Sequence, residues 1–306
     1  MATPITFIFT IIVVLQGSVH TTNGDYDPMS DEYIEMLNSK QNFWRAGRNF
    51  HKDTPISYFE NLMGVIDDEN QIELLQLQLD DEIIADLPEN FDAREKWPNC
   101  PSLNEIRDQG ACGSCWALAA VETMTDRYCI YSNQTKQFHF SAQDLVSCSN
   151  GGGCDGGSNK KAWKYWKKNG IVSGGNYNSN EGCRPYEIKS CHHHNKRYGK
   201  SYYQVGANEN KIKAEIFKNG PVQASFQVYS DFAHYKEGVY KHSHGEKRHH
   251  HAVKLLGWGV ENGIKYWLAA NSWGPNWGAK GYFKFLRGEN HCDIEENIIA
   301  GIPLIK

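Results

Sequence analysis

The chain contains no apolar run long enough to cross a bilayer. A membrane-spanning helix needs about 20 consecutive apolar residues, and the longest predominantly apolar stretch covers only residues 5–15 of the 306. Small and polar residues follow it. This order is typical of a secretory signal peptide, which we place at residues 1–23. No internal repeat is visible either.

Basic residues are scarce in the first part of the chain. Residues 1–86 contain 4 Lys and Arg against 15 Asp and Glu, a net charge of −11, whereas residues 87–306 contain 28 against 21, a net charge of +7. Residues 67–86 are rich in acids and hold neither Gly nor Pro, as in a charged connector. The opposite charges indicate that the two parts bind each other. A solvated acidic linker explains the same composition, and both interpretations can hold together.

The remaining composition is ordinary for a soluble globular protein. Hydrophobic residues make up 40% and charged residues 22% of the chain, and its length suffices for one large core or two modest ones. The 9 cysteines indicate an oxidising compartment, and their odd number leaves at least one thiol unpaired.

Helical and strand-like segments occupy different halves of the chain. Residues 161–169 and 211–219 have a helical pattern, and each segment ends at a Gly. Strand-like runs follow at residues 222–228, 252–257, 265–270 and 282–286. A mainly helical first half and a mainly antiparallel second half predict an α+β fold of two subdomains, with a cleft between them.

Residues 107–117 carry the strongest chemical signal. An uninterrupted helical pattern begins directly after them, and Ser114 is a favourable N-cap, so Cys115 is expected in the first turn of a buried helix. The positive end of the helix dipole favours the thiolate there, which is the nucleophilic form. The amide of Gln109 is suited to bind a carbonyl oxygen held over the thiol.

The spacing of Cys112 and Cys115 alone leaves three other interpretations open. A C-x-x-C pair also fits a redox site, half of a zinc site, or two ordinary disulfide partners. Trp116 and the nearby Gln109 favour a nucleophile instead, because the complete run C-G-S-C-W matches a nucleophile signature.

A cysteine nucleophile needs a base and a group that orients the base. His251 begins one predicted strand, and Asn271 closes the next. Adjacent antiparallel strands would bring the amide oxygen of Asn271 to the ring N–H of His251, with Trp273 shielding that bond from water. A surface histidine beside a simple turn at residues 271–272 is the alternative.

On these motifs the chain resembles the papain-like cysteine peptidases, and among them the cathepsin B group. The stretches that carry the resemblance are residues 108–116, 154–157, 182–186, 258–263 and 271–273. It implies a papain-like fold with a helical N-terminal subdomain and a β-barrel-like C-terminal subdomain. It also implies that Cys115 is the nucleophile, His251 the acid and base, Asn271 its orienter and Gln109 the oxyanion donor. No cofactor and no metal are implied.

The resemblance further implies a zymogen. Residues 24–86 correspond to an inhibitory propeptide, of which residues 44–50 resemble the short cathepsin B type, and residues 87–306 to the mature peptidase domain. Acid would weaken the attraction between the two parts by protonating carboxylates. Gly156 and Gly157 are expected to hydrogen-bond an extended substrate backbone. The implied partners are protein and peptide substrates, the chain's own propeptide and cystatin-like inhibitors. We expect a monomer that binds neither nucleic acid nor membranes.

The sequence departs from the cathepsin B pattern in the loop that confers dipeptide release in that group. Few residues separate residues 183–186 from 198–199, so most of the loop is missing, although His193 and His194 preserve a pair suited to hold a substrate carboxylate. Asp108 is retained as a salt-bridge partner for one of them, and Asn276 replaces an acidic anchor. We therefore expect mainly endopeptidase activity, with reduced or absent dipeptide release.

The cleft also differs near its S2 pocket and its base. Asn297 stands where cathepsin B has an acid at the floor of S2, so apolar residues should be preferred over basic ones at P2. His249 and His250 replace two glycines before the catalytic histidine. They would narrow the primed side of the cleft, or lower the pKa of His251 by like-charge repulsion.

Disulfides and a glycan are expected on the same grounds. The cysteine pairs implied by the resemblance are Cys100 with Cys129, Cys112 with Cys154, and Cys183 with Cys191. Cys148 lacks its usual partner and Cys292 aligns with a free thiol, so the connectivity among these last four cysteines stays open. Asn133 begins an N-Q-T sequon just past a helix, consistent with transit through the secretory pathway to a lysosomal or extracellular site.

Two other functions compete with a peptidase. The missing loop and the residues at 249–250 suggest a peptidase-fold binding protein with weak catalysis, which the intact catalytic residues oppose. The clustering of eight of the 13 histidines suggests a histidine-rich metal binder, for which solvated surface tracts are the plain alternative.

Overall fold

The computed structural model describes residues 26–66, 86–176 and 195–305, and the backbone alone of residues 75–76. The predicted signal peptide and most of the acidic connector lie outside these residues. The same holds for the shortened loop with Cys183, Cys191, His193 and His194. Within the described ranges, no helix is both long and apolar enough to span a bilayer.

The first half of the chain is mainly helical, as its pattern predicts. Its helices are α1 Asp31–Lys40, α2 Ile56–Asn61, α3 Ala93–Lys96, α4 Cys115–Tyr131, α5 Ala142–Cys148 and α6 Asn159–Asn169. The hydroxyls of Ser30, Ser141 and Ser158 accept first-turn backbone N–H groups of α1, α5 and α6, which starts these helices. Gly170 ends α6 at a φ of 69°, a conformation that glycine adopts without steric cost.

Helix α4 is buried along almost its whole length. Every residue from Cys115 to Ile130 is buried, so the helix presents no solvent-facing stripe. Trp116, Val121 and Met124 pack into a core shared with α5 and α6. The opposite side of α4, through Ala119, meets Ala252 in the second half of the chain. The helix therefore lies between the two subdomains.

The second half of the chain forms most of the strands. They are β6 Gly199–Gln204, β7 Val222–Tyr229, β8 Tyr235–Tyr240, β9 Lys247–Glu261, β10 Ile264–Ala270, β11 Tyr282–Leu286 and β12 Ile299–Pro303, with helix α7 Glu209–Asn219 before β7. The first half adds β1 Trp44–Ala46, β2 Leu75–Gln76, β3 Phe91–Asp92, β4 Gly152–Gly153 and β5 Gly156–Gly157. All four predicted strands are present. Strand β9 begins earlier than predicted. Its first residues are polar and alternate between exposed and half-buried positions, so the apolar pattern used for the prediction does not include them.

The strands form one open sheet. Their order is β1-β8-β11-β10-β9-β7-β12-β6-β2, with β3 also paired to β9, and β4 and β5 make a separate hairpin. The α+β class is confirmed. The sheet of the described residues does not close on itself, so barrel-like is only a loose description of the second subdomain. Both edge strands come from the first 86 residues. The N-terminal part is therefore built into the sheet as added strands.

A buried ion pair joins the helical and sheet parts. Arg127 of α4 is fully buried, and its Nη2 lies 2.7 Å from Oε1 of the equally buried Glu215 in α7. Its other donors reach the carbonyls of Gly220, Pro221 and Gly301. The guanidinium thus ties α4 to α7, to the turn before β7 and to β12.

Replacing Arg127 by Met should lower the free energy of unfolding by about 3–5 kcal/mol, because the carboxylate of Glu215 stays buried without its counter-charge, with only the neutral donors Tyr203 and Asn219 left. Urea unfolding followed by tryptophan fluorescence measures the loss. Arg45→Met is the matched control: the Arg45–Glu237 pair has side chains 62% and 64% exposed, and such pairs contribute at most about 1 kcal/mol. Equal losses in both variants would contradict the assignment.

Candidate active site

Cys115 is the first residue of α4 and is fully buried. Ser114 precedes it at the N-cap position, but its hydroxyl makes no capping hydrogen bond, contrary to the sequence-based expectation. Its carbonyl starts the helix instead, accepting from the N–H of Leu118 at 3.0 Å. The first N–H groups of a helix have no acceptor within the helix. The thiol therefore lies at the positive end of α4.

His251 on β9 is oriented by Asn271, which directly follows β10. The imidazole Nε2 lies 2.8 Å from Oδ1 of Asn271, and the ring of Trp273 covers the imidazole at a centroid distance of 4.6 Å. Since Oδ1 can only accept, Nε2 carries the hydrogen and Nδ1 is the basic nitrogen of the neutral ring. Nδ1 is buried and has no hydrogen-bond partner among the described residues. The next residue, Ala252, lies in the same buried cluster as Cys115.

Gln109 is fixed by Ser272, the residue after the orienting asparagine. The hydroxyl of Ser272 donates to Oε1 of Gln109 at 2.7 Å, and the backbone N–H of Gln109 donates to the carbonyl of Ser272 at 2.9 Å. The amide nitrogen of Gln109 is thereby directed at carbonyl oxygens, namely those of Leu62 and Cys112, both at 2.7 Å. Ser272 was not predicted to be a functional residue, although its position between Asn271 and Trp273 indicated that it lies close to the site.

Residues 64–66 lie in the cleft as an extended segment bonded to both walls. On one side, the N–H of Gly157 donates to the carbonyl of Gly64 at 2.8 Å, and the N–H of Ile66 to the carbonyl of Gly157 at 2.9 Å. On the other side, the N–H of Val65 donates to the carbonyl of His250 at 3.2 Å. Gly157, predicted to bind substrate backbone, thus binds the backbone of the chain's own N-terminal part.

This segment blocks the site without presenting a bond for cleavage. The backbone N–H of Gly64 donates to the Sγ of Cys115 at 3.2 Å, while Gln109 holds the carbonyl of Leu62, one peptide unit earlier. Acyl transfer requires the thiol and the oxyanion donor to act on the same carbonyl group. Because the thiol and Gln109 contact different peptide units, the segment inhibits the site in the position in which it is bound and is not held as a substrate.

The buried thiol and imidazole are both uncharged in this state. Burial raises the pKa of the Cys115 thiol to about 11 and lowers the pKa of His251 to about 4. The predicted thiolate is therefore not the form present in the cleft shown here. The helix dipole favours the thiolate, but residues 62–66 exclude water from the thiol and disfavour its charged form.

Of the other predicted site residues, Asn297 and Gly156 lie at the cleft and Asn133 lies on the surface. Asn297 lines a cavity of 270 Å³ beside Val65 and Ile66, and Gly156 pairs with Gly153 in the hairpin at the cleft. Asn133 is exposed just after α4. His193 and His194 lie outside the described residues, as stated above.

Two disulfides lie in the described part of the chain. They join Cys100 to Cys129 and Cys112 to Cys154, so Cys112 is not available for a redox or zinc pair with Cys115. Cys148 is also disulfide-bonded, and its partner lies outside the described residues. Cys115 and Cys292 have free thiols.

The histidine clusters show no metal site where they are described. No group of three or more His, Cys, Asp or Glu side chains in the described ranges is arranged to hold a metal ion. His242 is instead paired with the buried carboxylate of Asp231 at 3.1 Å and stacked on Tyr229 at a centroid distance of 3.7 Å.

Contacts outside the cleft anchor the N-terminal part to the rest of the chain. Strand β1 pairs with β8, and Phe59 packs on Trp273 with ring centroids 5.5 Å apart. In the described residues, an acid of this part meets a basic residue of the body in one ion pair, Glu60 with Arg248 at 2.7 Å. Strand pairing and apolar packing therefore carry much of the attachment, beyond the predicted charge attraction.

His234 lies beneath the start of this N-terminal part. The imidazole is 1% exposed, its Nε2 donates to the carbonyl of Pro28 at 2.7 Å, and the ring of Tyr33 in α1 lies 5.8 Å away. Burial lowers the pKa of His234; the hydrogen bond to Pro28 opposes this lowering in part, and the nearby Arg48 adds to it. Protonation of this ring is therefore linked to departure of α1.

The comparisons with known proteins identify the class. The model of the papain family cysteine proteases matches residues 87–302, and that of the peptidase family C1 propeptide matches residues 29–69. The first match covers more than half of the chain, so the chain belongs to the papain family of cysteine proteases. Residues 29–69 include the segment that fills the cleft, which makes this structure a zymogen.

Within that family the chain is similar to cathepsin B. It is 41% identical over 315 residues to cathepsin B-like cysteine proteinase 5 of Caenorhabditis elegans, covering 88% of this chain and 89% of the relative. A cathepsin B-like cysteine proteinase of Schistosoma japonicum is 38% identical, with 97% of each chain covered. The solved proCathepsin B S9 from Trypanosoma congolense aligns with a TM-score of 0.81 at 34% identity, over 91% of this chain and 99% of that one. The chain is therefore a cathepsin B-like cysteine peptidase zymogen.

Gly64→Ala should open the inhibited cleft, because a Cβ at position 64 would lie 1.8 Å from the carbonyl oxygen of Gly113. We expect the alkylation rate of Cys115 in the proform to rise by at least about tenfold, the effect of about 1.4 kcal/mol of lost docking energy. Mass-mapped iodoacetamide labelling measures it. In Gly153→Ala the new Cβ meets nothing within 4 Å, so that variant should label like the wild type. An unchanged rate in Gly64→Ala would contradict the inhibitory contact.

Acid should loosen the docked propeptide partly through His234. An exposed histidine has a pKa of about 6.5, and docking lowers that of His234. The docking energy is therefore complete above about pH 6.5 and falls as the pH drops below it. His234→Gln should make Cys115 labelling in the proform less dependent on pH between about 6.5 and 5. His51→Gln is the control, since the side chain of that histidine is 74% exposed. Identical pH profiles for His234→Gln and the wild type would refute this role.

Proposed function

We propose that the matured enzyme hydrolyses peptide bonds through an acyl-enzyme formed on Cys115. The observation that carries the proposal is the joint burial of Cys115 with His251, whose Nε2 is held by Asn271 and whose Nδ1 lacks a partner in the described part of the chain. A nitrogen in this state is suited to take the thiol proton. Removal of residues 62–66 returns water to the cleft, which favours the thiolate–imidazolium form.

Each step of the reaction has a residue suited to it. The thiolate of Cys115 attacks the carbonyl carbon, and the amide of Gln109 with the first N–H groups of α4 binds the developing oxyanion. The imidazolium of His251 then gives its proton to the leaving amine. A water molecule activated by the same ring hydrolyses the thioester and restores the thiol.

Thiol titration tests this function. Protein matured by removal of the propeptide should react with a peptidyl epoxide at one equivalent per chain, and Cys115→Ala should not react at that position. Absence of labelling in the matured wild type would favour a binding protein of the same fold. A metal-binding function has no support in the described histidines, and calorimetry with Zn²⁺ tests the remaining ones.

We further propose that the enzyme acts mainly as an endopeptidase in the secretory pathway. The first claim rests on the few residues between 183–186 and 198–199, and the second on the apolar N-terminal stretch and the exposed Asn133 sequon. Disulfides such as Cys112–Cys154 agree with an oxidising compartment.

Internally quenched peptides with a free and an amidated C-terminus should be cleaved at similar rates, within about threefold. An endopeptidase does not need to bind the C-terminal carboxylate of its substrate, whereas a dipeptide-releasing enzyme depends on binding it. Mass spectrometry of the products measures the cleavage positions. Dominant release of C-terminal dipeptides, lost on amidation, would contradict the expectation.

The neutral Asn297 should make Arg a poor P2 residue. Substrates with Phe at P2 should exceed those with Arg by about tenfold or more in kcat/KM, because the cavity offers no counter-charge for a guanidinium. Asn297→Glu should selectively raise kcat/KM for the Arg substrate. Asn276→Glu, at an exposed position of the loop after β10, serves as the control. Equal turnover of the Phe and Arg substrates by the wild type would show that the pocket is misassigned.

A further inference from the structure

Helix α6 carries a lysine stripe, which we define as Lys160, Lys164 and Lys168. Its buried residues, among them Ala162, Trp163 and Trp166, lie on the opposite side. Lys164 and Lys168 are exposed, and Lys160 is half-buried. Residues spaced by four lie one above the other on a helix, so the stripe runs for about 12 Å along it.

This stripe opposes the rules that stabilise a helix. Like charges at a spacing of four destabilise a helix by about 0.2–0.5 kcal/mol per pair. Lysine in the first turn also opposes the helix dipole, and α6 has no acid in its first turn. No acidic side chain among the described residues forms an ion pair with Lys160, Lys164 or Lys168. A locally unfavourable pattern of this kind is expected where a surface has a function.

The stripe begins at the cleft. Lys160 lines the same cavity as Asn297, beside Val65 and Ile66 of the bound segment. Lys164 and Lys168 line a second concavity of 240 Å³ farther along α6, together with Tyr165 and two asparagines. The carboxylate of Asp144 is buried and accepts from Tyr165 and from the backbone of Val172. A peptide that leaves the cleft past Ile66 therefore meets three lysines.

We propose that the lysine stripe is an exosite for acidic peptide segments, which it binds on the N-terminal side of the scissile bond. The occupant is a run of Glu or Asp at about P3 to P6 of a substrate, whose carboxylates pair with the three ammonium groups. In the sequence, the acids Asp67, Asp68 and Glu69 directly follow Ile66. The body's net charge of +7 adds long-range attraction for such a segment.

The inference deepens the proposed peptidase function and rests on it, so binding and cleavage are measured separately. The binding probe is a fluorescent peptide with Glu-Glu-Glu at P3 to P5, and its isosteric partner carries Gln-Gln-Gln. The Cys115→Ala variant is produced as the full chain, and an added peptidase then removes its propeptide. Both peptides are titrated into this matured variant. Cleavage of the Gln peptide by the matured wild type reports the peptidase function independently.

We expect the Glu peptide to bind about tenfold more tightly than the Gln peptide at low salt, at about two- to threefold per lysine. This ratio should fall toward one at high ionic strength. Lys164→Glu should reduce the ratio by at least about threefold and leave binding of the Gln peptide unchanged. Lys218→Glu is the matched control, because Lys218 is an exposed lysine on a different helix, α7.

Two results would overturn the proposal. One is equal binding of the Glu and Gln peptides by Cys115→Ala, which leaves the lysines as a solvated face. The other is an equal effect of Lys164→Glu and Lys218→Glu, which shows a general charge effect without a site on the stripe. Neither result depends on whether the wild type cleaves the Gln peptide.

Discussion

The packing of helix α4 against strand β9 is the constraint on which the active site depends. The thiol is on the helix and the imidazole is on the strand, so neither subdomain holds both groups. Ala119 and Ala252 are small enough for close approach, and a buried ion pair between Asp126 and Lys254, at 2.7 Å, links the same two elements farther along. A buried pair of this kind is costly to break from one side. The fold therefore sets the distance between nucleophile and base by its core.

The zymogen uses the same geometry in an inactive form. Residues 44–46, within the match to the propeptide family, supply one edge strand of the sheet, and residues 64–66 bond to both walls of the cleft as an extended segment. The thiol and Gln109 hold groups of different peptide units, so the bound segment contacts both without being positioned for attack. Exclusion of water keeps both catalytic groups neutral. Maturation thus changes the charge state of the site as well as its access.

Much of this site could be predicted from the sequence, because its chemistry depends on local runs of residues. Cys115, His251 and Asn271 each lie at the end of a recognisable helix or strand, and Gln109 lies within the same motif as the thiol. The role of Ser272 and the missing capping bond of the Ser114 hydroxyl depend on contacts with distant segments. A local sequence pattern does not reveal such contacts. The full extent of β9 was missed because its first residues are polar and pair outside the core. The open sheet, with its propeptide edges, likewise follows from long-range pairing.

The central claim is that Cys115 forms the acyl-enzyme once the propeptide has left the cleft. Intact-mass analysis of the matured protein mixed with a slowly deacylating peptide ester tests it most directly, with peptide mapping to locate the modification. The account predicts one acyl group per chain on Cys115, which is absent from the proform and strongly reduced when Asn271 is replaced by Ala. An acyl group on the other free thiol of the described residues, Cys292, or equal acylation of the proform, would contradict it.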